Sequence, residues 1–332
     1  MTSRRAFLAI AGAALASPGT ARAQSDADPA MISAYPALRV LLGFGNAQPA
    51  GRGTFTFNGN GYRGDFRRIA GGEVVNVIDI EQYLYSVVPR EMSPGWPAAA
   101  LEAQAVCART YVLQRSNPKR DYDLVPSELD QVYSGIAGES PAGRGAVDAT
   151  AGQLLRYGNL YATVAYSSCC GGHTEASADA WGSTPVPYLG GVPCSYCTGS
   201  PNYRWSATIP LADLEQHFAE QLSPFGALRD VRPAGVDPSG RVRALELVAD
   251  HGSVTVKGST FRIAAGPRVV RSLLITRLRV DSGLESLFAE GGGLGHGVGM
   301  CQWGARGMAL AGRSARDILA LYFPGTQVST ND

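Results

Sequence analysis

From Leu38 to Ile80 apolar and polar positions alternate in short runs: "LRVLLGF", "GTFTFNG", "YRGDFRRI" and "EVVNVIDI". A period of two, broken by Gly and Asn, predicts strands joined as hairpins. "NGNG" at Asn58 to Gly61 is a strong hairpin-turn signal. The period then lengthens. Ile80 to Val88 reads as a short helix that ends at the Pro89 turn. A second helix is expected from Pro97, since proline suits the first helical position, with Leu101, Ala105, Ala108 and Val112 at helical spacing. Its mixture of alanine and polar groups predicts a helix buried on most sides. Further on, the pattern predicts a helix at Gly143 to Thr150 and a hairpin over "QLLRYGNLYATVAYSSCCGG", with "LYATVAYSS" as its second strand. It also predicts a helix at Leu211 to Phe218, strands within Val231 to Leu247 and Gly252 to Val256, and helices at Gln302 to Leu310 and Ala315 to Tyr322. Strands and helices fall in separate runs rather than in a regular βαβ alternation, so the fold class is α+β with mixed sheets and helices.

The stretch "VVPREMSPGWPAAALEAQAVCARTYVLQ" (Val87 to Gln114) breaks the pattern in one informative place. A single carboxylate, Glu91, stands among Pro89, Pro94 and Pro97, beside Met92 and near Trp96. Apolar surroundings disfavour a charged carboxylate and suit it to act as an acid. The alternative is an ion pair with Arg90 or Arg109. Arg109 itself shares a helix face with Glu102, seven residues away, and could be that residue's structural partner. Glu102 and Asp79 are the nearest candidates for a second carboxylate, and each is more simply a helix-face or turn residue.

Composition narrows the class. Hydrophobic residues make up 45% of the 332 and charged residues 17%, a globular balance. The formal net charge of +1 gives no electrostatic reason to expect a nucleic-acid partner. The N-terminus, "MTSRRAFLAIAGAALASPGTARAQ", places Arg4 and Arg5 before an apolar run and a small-residue Ala21-Arg22-Ala23 site. This reads as a signal peptide over residues 1–23, of twin-arginine type or an ordinary secretory one with adjacent arginines. Residues 24–37 read as a linker and 328–332 as a tail. The mature chain is expected outside the cytoplasm, in the periplasm or cell envelope, with no transmembrane anchor after cleavage.

Four of the six cysteines lie between positions 169 and 197. Cys170-x-x-His173 and Cys194-x-x-Cys197 are separated by the twenty residues 174–193, close to the spacing of paired zinc knuckles. Zinc takes four N/S ligands in a tetrahedron, so Cys170, His173, Cys194 and Cys197 would form a closed, structural site. Disulfides are the first alternative, because export usually means an oxidising compartment, and free thiols are the second. Cys169 could replace Cys170, and Cys107 reads as a buried small hydrophobe. Near the C-terminus, "GGGLGHGVGMCQWGARGMALAG" (Gly291 to Gly312) surrounds His296 with glycines. It lacks the Gly-Lys-Ser/Thr of a phosphate loop. Gln302 and Trp303 are plausible sugar contacts, although Trp303 would equally serve as core.

Three blocks together resemble one family. "YLYSVVPREMSPGWPAAALEAQAVCARTYVL", "AVDATAGQLLRYGNLYATVAYSSCCGGHTEASADAWGSTPVPYL" and "GLGHGVGMCQWGARGMALAGRSARDILALYFPGT" are similar, in this order, to the segments of the stage II sporulation protein D (SpoIID/LytB, amidase-enhancer) family. The resemblance covers about Leu38 to Thr326, which makes 38–327 one SpoIID-like region of two interleaved subdomains. It implies a cell-wall protein with a deep substrate cleft for peptidoglycan glycan strands. The implied activity is lytic transglycosylation of strands stripped of peptides, with Glu91 as the catalytic acid and no cofactor required for the chemistry. Arg109, Gln104, Tyr111, His296 and Gln302 are the expected substrate-positioning residues, with Tyr166, Ser167 and Ser168 as weaker cleft-lining candidates. The zinc quartet resembles that of a metal-binding subset. The sequence departs from the common pattern at Cys301, where serine is usual, and at Trp303, where tyrosine is usual. A non-catalytic role, binding glycan and activating a cell-wall amidase, is the competing expectation.

Overall fold

A computed structural model describes residues 35–127 and 129–330. The expected signal peptide and nearly all of the expected linker lie outside the described residues. The described chain is α+β and divides into two compact units: one runs to Thr163 and takes back the chain from Thr326, and the other is Val164–Gly325. Among the described residues no helix is long and apolar enough to cross a membrane.

The first unit opens with β1 (Leu38–Gly43), β2 (Ala47–Gly51), β3 (Thr54–Phe57), β4 (Asn60–Arg63), β5 (Asp65–Arg68) and β6 (Val74–Ile78). They form two antiparallel three-stranded sheets, ordered β1-β6-β5 and β2-β3-β4. The β3–β4 hairpin turns at Asn58-Gly59, both with positive φ (50° and 82°). That is the backbone a two-residue turn with right-handed strand twist requires, and it closes the pair Phe57 and Asn60. Behind the strands a tilted or stacked aromatic chain, Phe55–Tyr62–Tyr133–Tyr83, links the sheets to the helices at centroid spacings of 5.4, 5.8 and 4.9 Å.

Among the described residues the α-helices of this unit are α1 (Ile80–Glu91), α2 (Ala98–Arg115) and α3 (Pro141–Ala149). Asp79 caps α1, its side chain accepting from the N–H groups of Glu81 (2.8 Å) and Gln82 (3.2 Å). Asp79 is thus committed as a cap. The helix does not stop at Val88 as expected. Pro89 falls in the last turn, where one lost N–H is tolerable, and Met92 N–H closes the end on Val88 O at 3.0 Å. Gly143 of α3 lies against the Pro89 ring; a Cβ there would come within 2.3 Å of Pro89 Cγ. Close packing against a bare backbone therefore carries α1 three residues past the predicted stop, and Glu91 becomes its final residue. In α2, Pro97 is the cap rather than the first turn, and eleven of the eighteen residues are buried, so the helix is enclosed on most sides as its composition foretold.

Two later strands differ from expectation. β7 (Gln153–Tyr157) pairs with β8 (Leu160–Tyr161), but "LYATVAYSS" is not one strand. Its second half, β9 (Tyr166–Ser167), belongs to the other unit and runs parallel to residues 300–301. The expected tail is also structured: a C-terminal strand, Gln327–Thr330, pairs antiparallel with β7, with Val328 opposite Leu155. In both cases a distant partner, not the local pattern, decides pairing.

The second unit continues with α4 (Ser177–Trp181), β10 (Trp205–Pro210), α5 (Leu211–His217), α6 (Ala219–Leu222), β11 (Leu228–Val236), β12 (Val242–Ala249), β13 (Gly252–Lys257), α7 (Gly258–Ala264), β14 (Ile275–Asp281) and β15 (Ser286–Gly291). β16 (Met300–Cys301), α8 (Gln302–Leu310) and α9 (Ala315–Tyr322) close it. Two antiparallel sheets, β10-β15-β14 and β11-β12-β13, share one core with α5 and α7. Val242, Leu245, Leu247 and Ala249 of β12 face inward, joined by Leu214, Phe218, Phe261, Leu287 and Ala289.

Candidate functional sites

In the first unit, Glu91 is half-buried at the end of α1 while its neighbour Met92 is buried. Its Oε1 accepts from the Val132 N–H at 3.4 Å. Beneath it the fully buried Tyr83 phenol is held well above its ordinary pKa, first by burial and then by the negative charges of Asp130 and Glu91 among its neighbours. Tyr83 therefore stays protonated near neutral pH. Asp130 receives the Tyr111 hydroxyl (3.1 Å), the Val125 N–H (2.9 Å) and Arg115 (3.1 Å). Sequence reasoning passed over Asp130 because it lies in a loop without periodicity.

The other residues expected to position substrate in this unit are Gln104, Tyr111 and Arg109. Gln104 is completely buried within α2. Tyr111 is half-buried and bonds Asp130, with the Arg115 guanidinium 4.5 Å over its ring. Arg109 is completely buried. Its partner is neither Glu102 nor Glu91 but Glu81: Nε meets Oε1 at 2.8 Å and Nη2 meets Oε2 at 2.5 Å. Nη1 also donates to Gln153 O at 3.0 Å, and Glu81 Oε1 takes the Gly152 N–H at 3.1 Å. The bidentate pair thus ties α1 and α2 to the start of β7.

In the second unit, the glycine-rich block folds as a loop before β16. His296 is half-buried there, its ring 5.5 Å from that of Trp181. Nδ1 accepts from the Val298 N–H at 3.0 Å, which leaves the ring proton on Nε2. Burial pushes its pKa down to about 4, assisted by the charges of Arg241 and Arg262 and opposed by a hydrogen bond to the Tyr166 backbone. His296 is therefore neutral near pH 7. Gly297 has φ +79°, and a Cβ on it would lie 2.3 Å from Arg241 Nη2. Only glycine lets the loop lie against that guanidinium.

Arg241 is the hub of this region. It is almost fully buried, donates to Cys170 O (2.8 Å), His173 O (3.0 Å) and Ser239 Oγ (2.9 Å), and lies 3.3 Å from Glu175. Burial raises the Glu175 pKa to about 8 despite that arginine, with Asp237 adding to the rise. Gln302 is buried at the start of α8. Trp303 is half-buried, with the Arg306 guanidinium 5.1 Å over its ring. Ser167 is buried, and its Oγ has no hydrogen-bond partner among the described residues.

The loop also makes a testable electrostatic statement. A histidine whose folded pKa lies below its unfolded value binds its proton later in the folded chain. Its contribution to stability is complete above about pH 6.5 and drains away as pH falls through about 4. Over that window His296 should cost on the order of 2 kcal/mol. Denaturant melts of wild type and His296→Gln between pH 7 and 4 should show a shallower decline for the variant. Parallel declines would refute the assignment.

No disulfide joins any two of the six cysteines, and all six are buried. The sulfurs of Cys170, Cys194, Cys197 and Cys301 lie within 4.8 Å of one another. Three of these were expected from spacing and Cys301 was not. His173 is outside the group, with its Nδ1 2.7 Å from Thr174 O. Cys107 is buried in α2, and burial pushes its thiol pKa up.

Two family models and several curated proteins match the chain. The family model described as stage II sporulation protein matches residues 70–157, which include α1, Glu91 and α2. A model described as a domain of unknown function (DUF8618) matches residues 196–299. An uncharacterized protein of Brachyspira hyodysenteriae is 36% identical over 281 residues, covering 82% of this chain and 74% of that protein. Stage II sporulation protein D of Bacillus subtilis is 29% identical, covering 86% of this chain and 84% of that protein. The amidase enhancer of Bacillus subtilis is also 29% identical, but the match covers 40% of that protein and 74% of this chain. On the family match and these relatives, the chain belongs to the stage II sporulation protein D (SpoIID) family.

Proposed function

We propose that the protein acts in the cell envelope, outside the cytoplasm, and cleaves peptidoglycan glycan strands stripped of their peptides, as a lytic transglycosylase. The observation that carries this reading is the setting of Glu91: a single carboxylate at the exit of α1, half-buried and followed by the buried Met92, inside the segment matched by the family model. One carboxylate suffices for this chemistry. The Glu91 carboxyl gives its proton to the glycosidic oxygen as the bond to C1 of the N-acetylmuramic acid unit breaks. The resulting carboxylate then takes the proton of that sugar's C6 hydroxyl as the oxygen closes on C1, giving a 1,6-anhydro end and restoring the acid. Hydrolysis would instead call for a second carboxylate to serve water or act as nucleophile. Asp79, one of the two sequence candidates for that role, is occupied as a helix cap.

The test is product analysis. Purified protein incubated with denuded glycan strands should release anhydro-muramic products by mass spectrometry. A second reading, a non-catalytic activator of a cell-wall amidase, is favoured by the name of the amidase-enhancer relative. It predicts no glycan products and faster peptide release when a cell-wall amidase is added to intact peptidoglycan. That combination would displace the enzyme reading.

A further inference from the structure

The fourth member of the sulfur group arrives from far along the chain. Cys170 follows β9, Cys194 and Cys197 flank a single tight turn, and Cys301 ends β16 more than a hundred residues later. The parallel pairing of β9 with β16 brings the first and last together. The turn bearing Cys194 and Cys197 sits on the glycine face of α8. A Cβ on Gly304 would meet Cys194 Sγ at 2.8 Å, and one on Gly307 would meet Tyr196 O at 2.0 Å. Two glycines three apart thus open the space in which the turn's sulfurs reach Cys301.

We propose that Cys170, Cys194, Cys197 and Cys301 bind one zinc ion as a closed four-thiolate site, with Cys301 rather than His173 as the fourth ligand. Zinc–sulfur bonds of about 2.3 Å in a tetrahedron place the sulfurs ~3.8 Å apart. Cys170 Sγ and Cys197 Sγ are 3.7 Å apart, a metal edge and far longer than the about 2.05 Å of a disulfide. The surroundings are built to receive thiolates. Cys301 Sγ accepts from the Cys170 N–H at 3.2 Å and, as the cap of α8, from the Gly304 N–H at 3.3 Å. The helix N-terminus adds its positive end to that sulfur. The Tyr322 hydroxyl lies 3.1 Å from Cys194 Sγ, where it donates to a thiolate. Such outer hydrogen bonds orient ligands and hold their charge. Four sulfurs complete the tetrahedron, so the zinc has no open position and its role is to hold structure. It joins β9, the Cys194–Cys197 turn and the head of α8. Through Arg241, which grips Cys170 O and lies against Gly297, it also stiffens the His296 loop.

The site is independent of the transglycosylase reading, and so is its test. Elemental analysis of the purified chain should give one zinc per molecule. Cys301→Ser should lose most of it, whereas His173→Ala and Cys169→Ser should retain it. Cobalt exchanged into the wild type should give the absorption of a tetrahedral centre with four thiolates, a readout that does not depend on any variant folding. A spectrum of three sulfurs and one nitrogen, with zinc lost on His173→Ala, would overturn the ligand set. A metal-free protein whose mass, after alkylation without reduction, reveals a disulfide among these cysteines would overturn the site.

Discussion

Glu91→Gln should lower the release of anhydro products from denuded glycan strands by about a hundred- to ten-thousand-fold, the range that loss of a positioned acid typically produces. The amide cannot deliver a proton to the glycosidic oxygen, nor take one from the C6 hydroxyl. It can still accept the Val132 N–H that now meets Glu91 Oε1, so the end of α1 keeps its local anchor. Met92, buried beside it, is untouched. The expected pattern is a collapse of kcat with the melting temperature unchanged and glycan binding preserved. Binding measured by pull-down on purified strands, alongside the mass-spectrometric rate, separates a lost acid from a lost site. A variant that keeps its rate within tenfold of wild type would remove Glu91 from the chemistry. Cys301→Ser or any other change at the sulfur cluster tests a different part of the chain, so the two failures cannot be confused.

Glu91 could be singled out from sequence, but its place in the fold could not. The prolines around it read as a rigid turn, and a proline in a helix is ordinarily a stop. Here Pro89 sits within the final turn and is matched by the bare backbone of Gly143, fifty-four positions away, which the local pattern cannot reveal. The Asn58-Gly59 turn and the enclosed α2 were legible because their causes are local: a backbone requirement for positive φ, and alanine-rich composition on every face. The sulfur cluster was partly legible for the same reason. Cys194 and Cys197 announce themselves by a two-residue gap, whereas Cys301 meets them only through the β9–β16 pairing. The one available signal was a cysteine at the mouth of a helix, just after a run of glycines. C-x-x-H imitates a knuckle in the sequence, but in the fold His173 stands outside the sulfur group, its Nδ1 2.7 Å from the Thr174 carbonyl.

Arg109→Met should be the most damaging single change in the first unit. Its guanidinium is completely buried and bidentate on Glu81, whose side chain is only 15% exposed. Methionine fits much of the volume but leaves the Glu81 carboxylate without its countercharge and the Gln153 carbonyl without a donor. Removing one partner of a buried pair costs about 3–5 kcal/mol, a large part of the roughly 5–15 kcal/mol that holds a domain folded. Glu81→Gln should cost less, since a neutral amide still accepts from the guanidinium and from the Gly152 N–H. The double variant Glu81→Leu/Arg109→Met, which removes both charges, should recover stability relative to Arg109→Met alone. Urea denaturation of the four species closes a cycle whose coupling energy isolates the pair. Burial also means that added salt should leave the coupling nearly unchanged, unlike that of an exposed pair. If Arg109 instead served substrate, Arg109→Met would weaken glycan binding at nearly full stability, and the cycle would show no coupling with Glu81. The pair spans α1, α2 and the start of β7, and α1 carries Glu91 at its far end, so the same loss of stability should appear as lost glycan cleavage at temperatures where wild type is still folded.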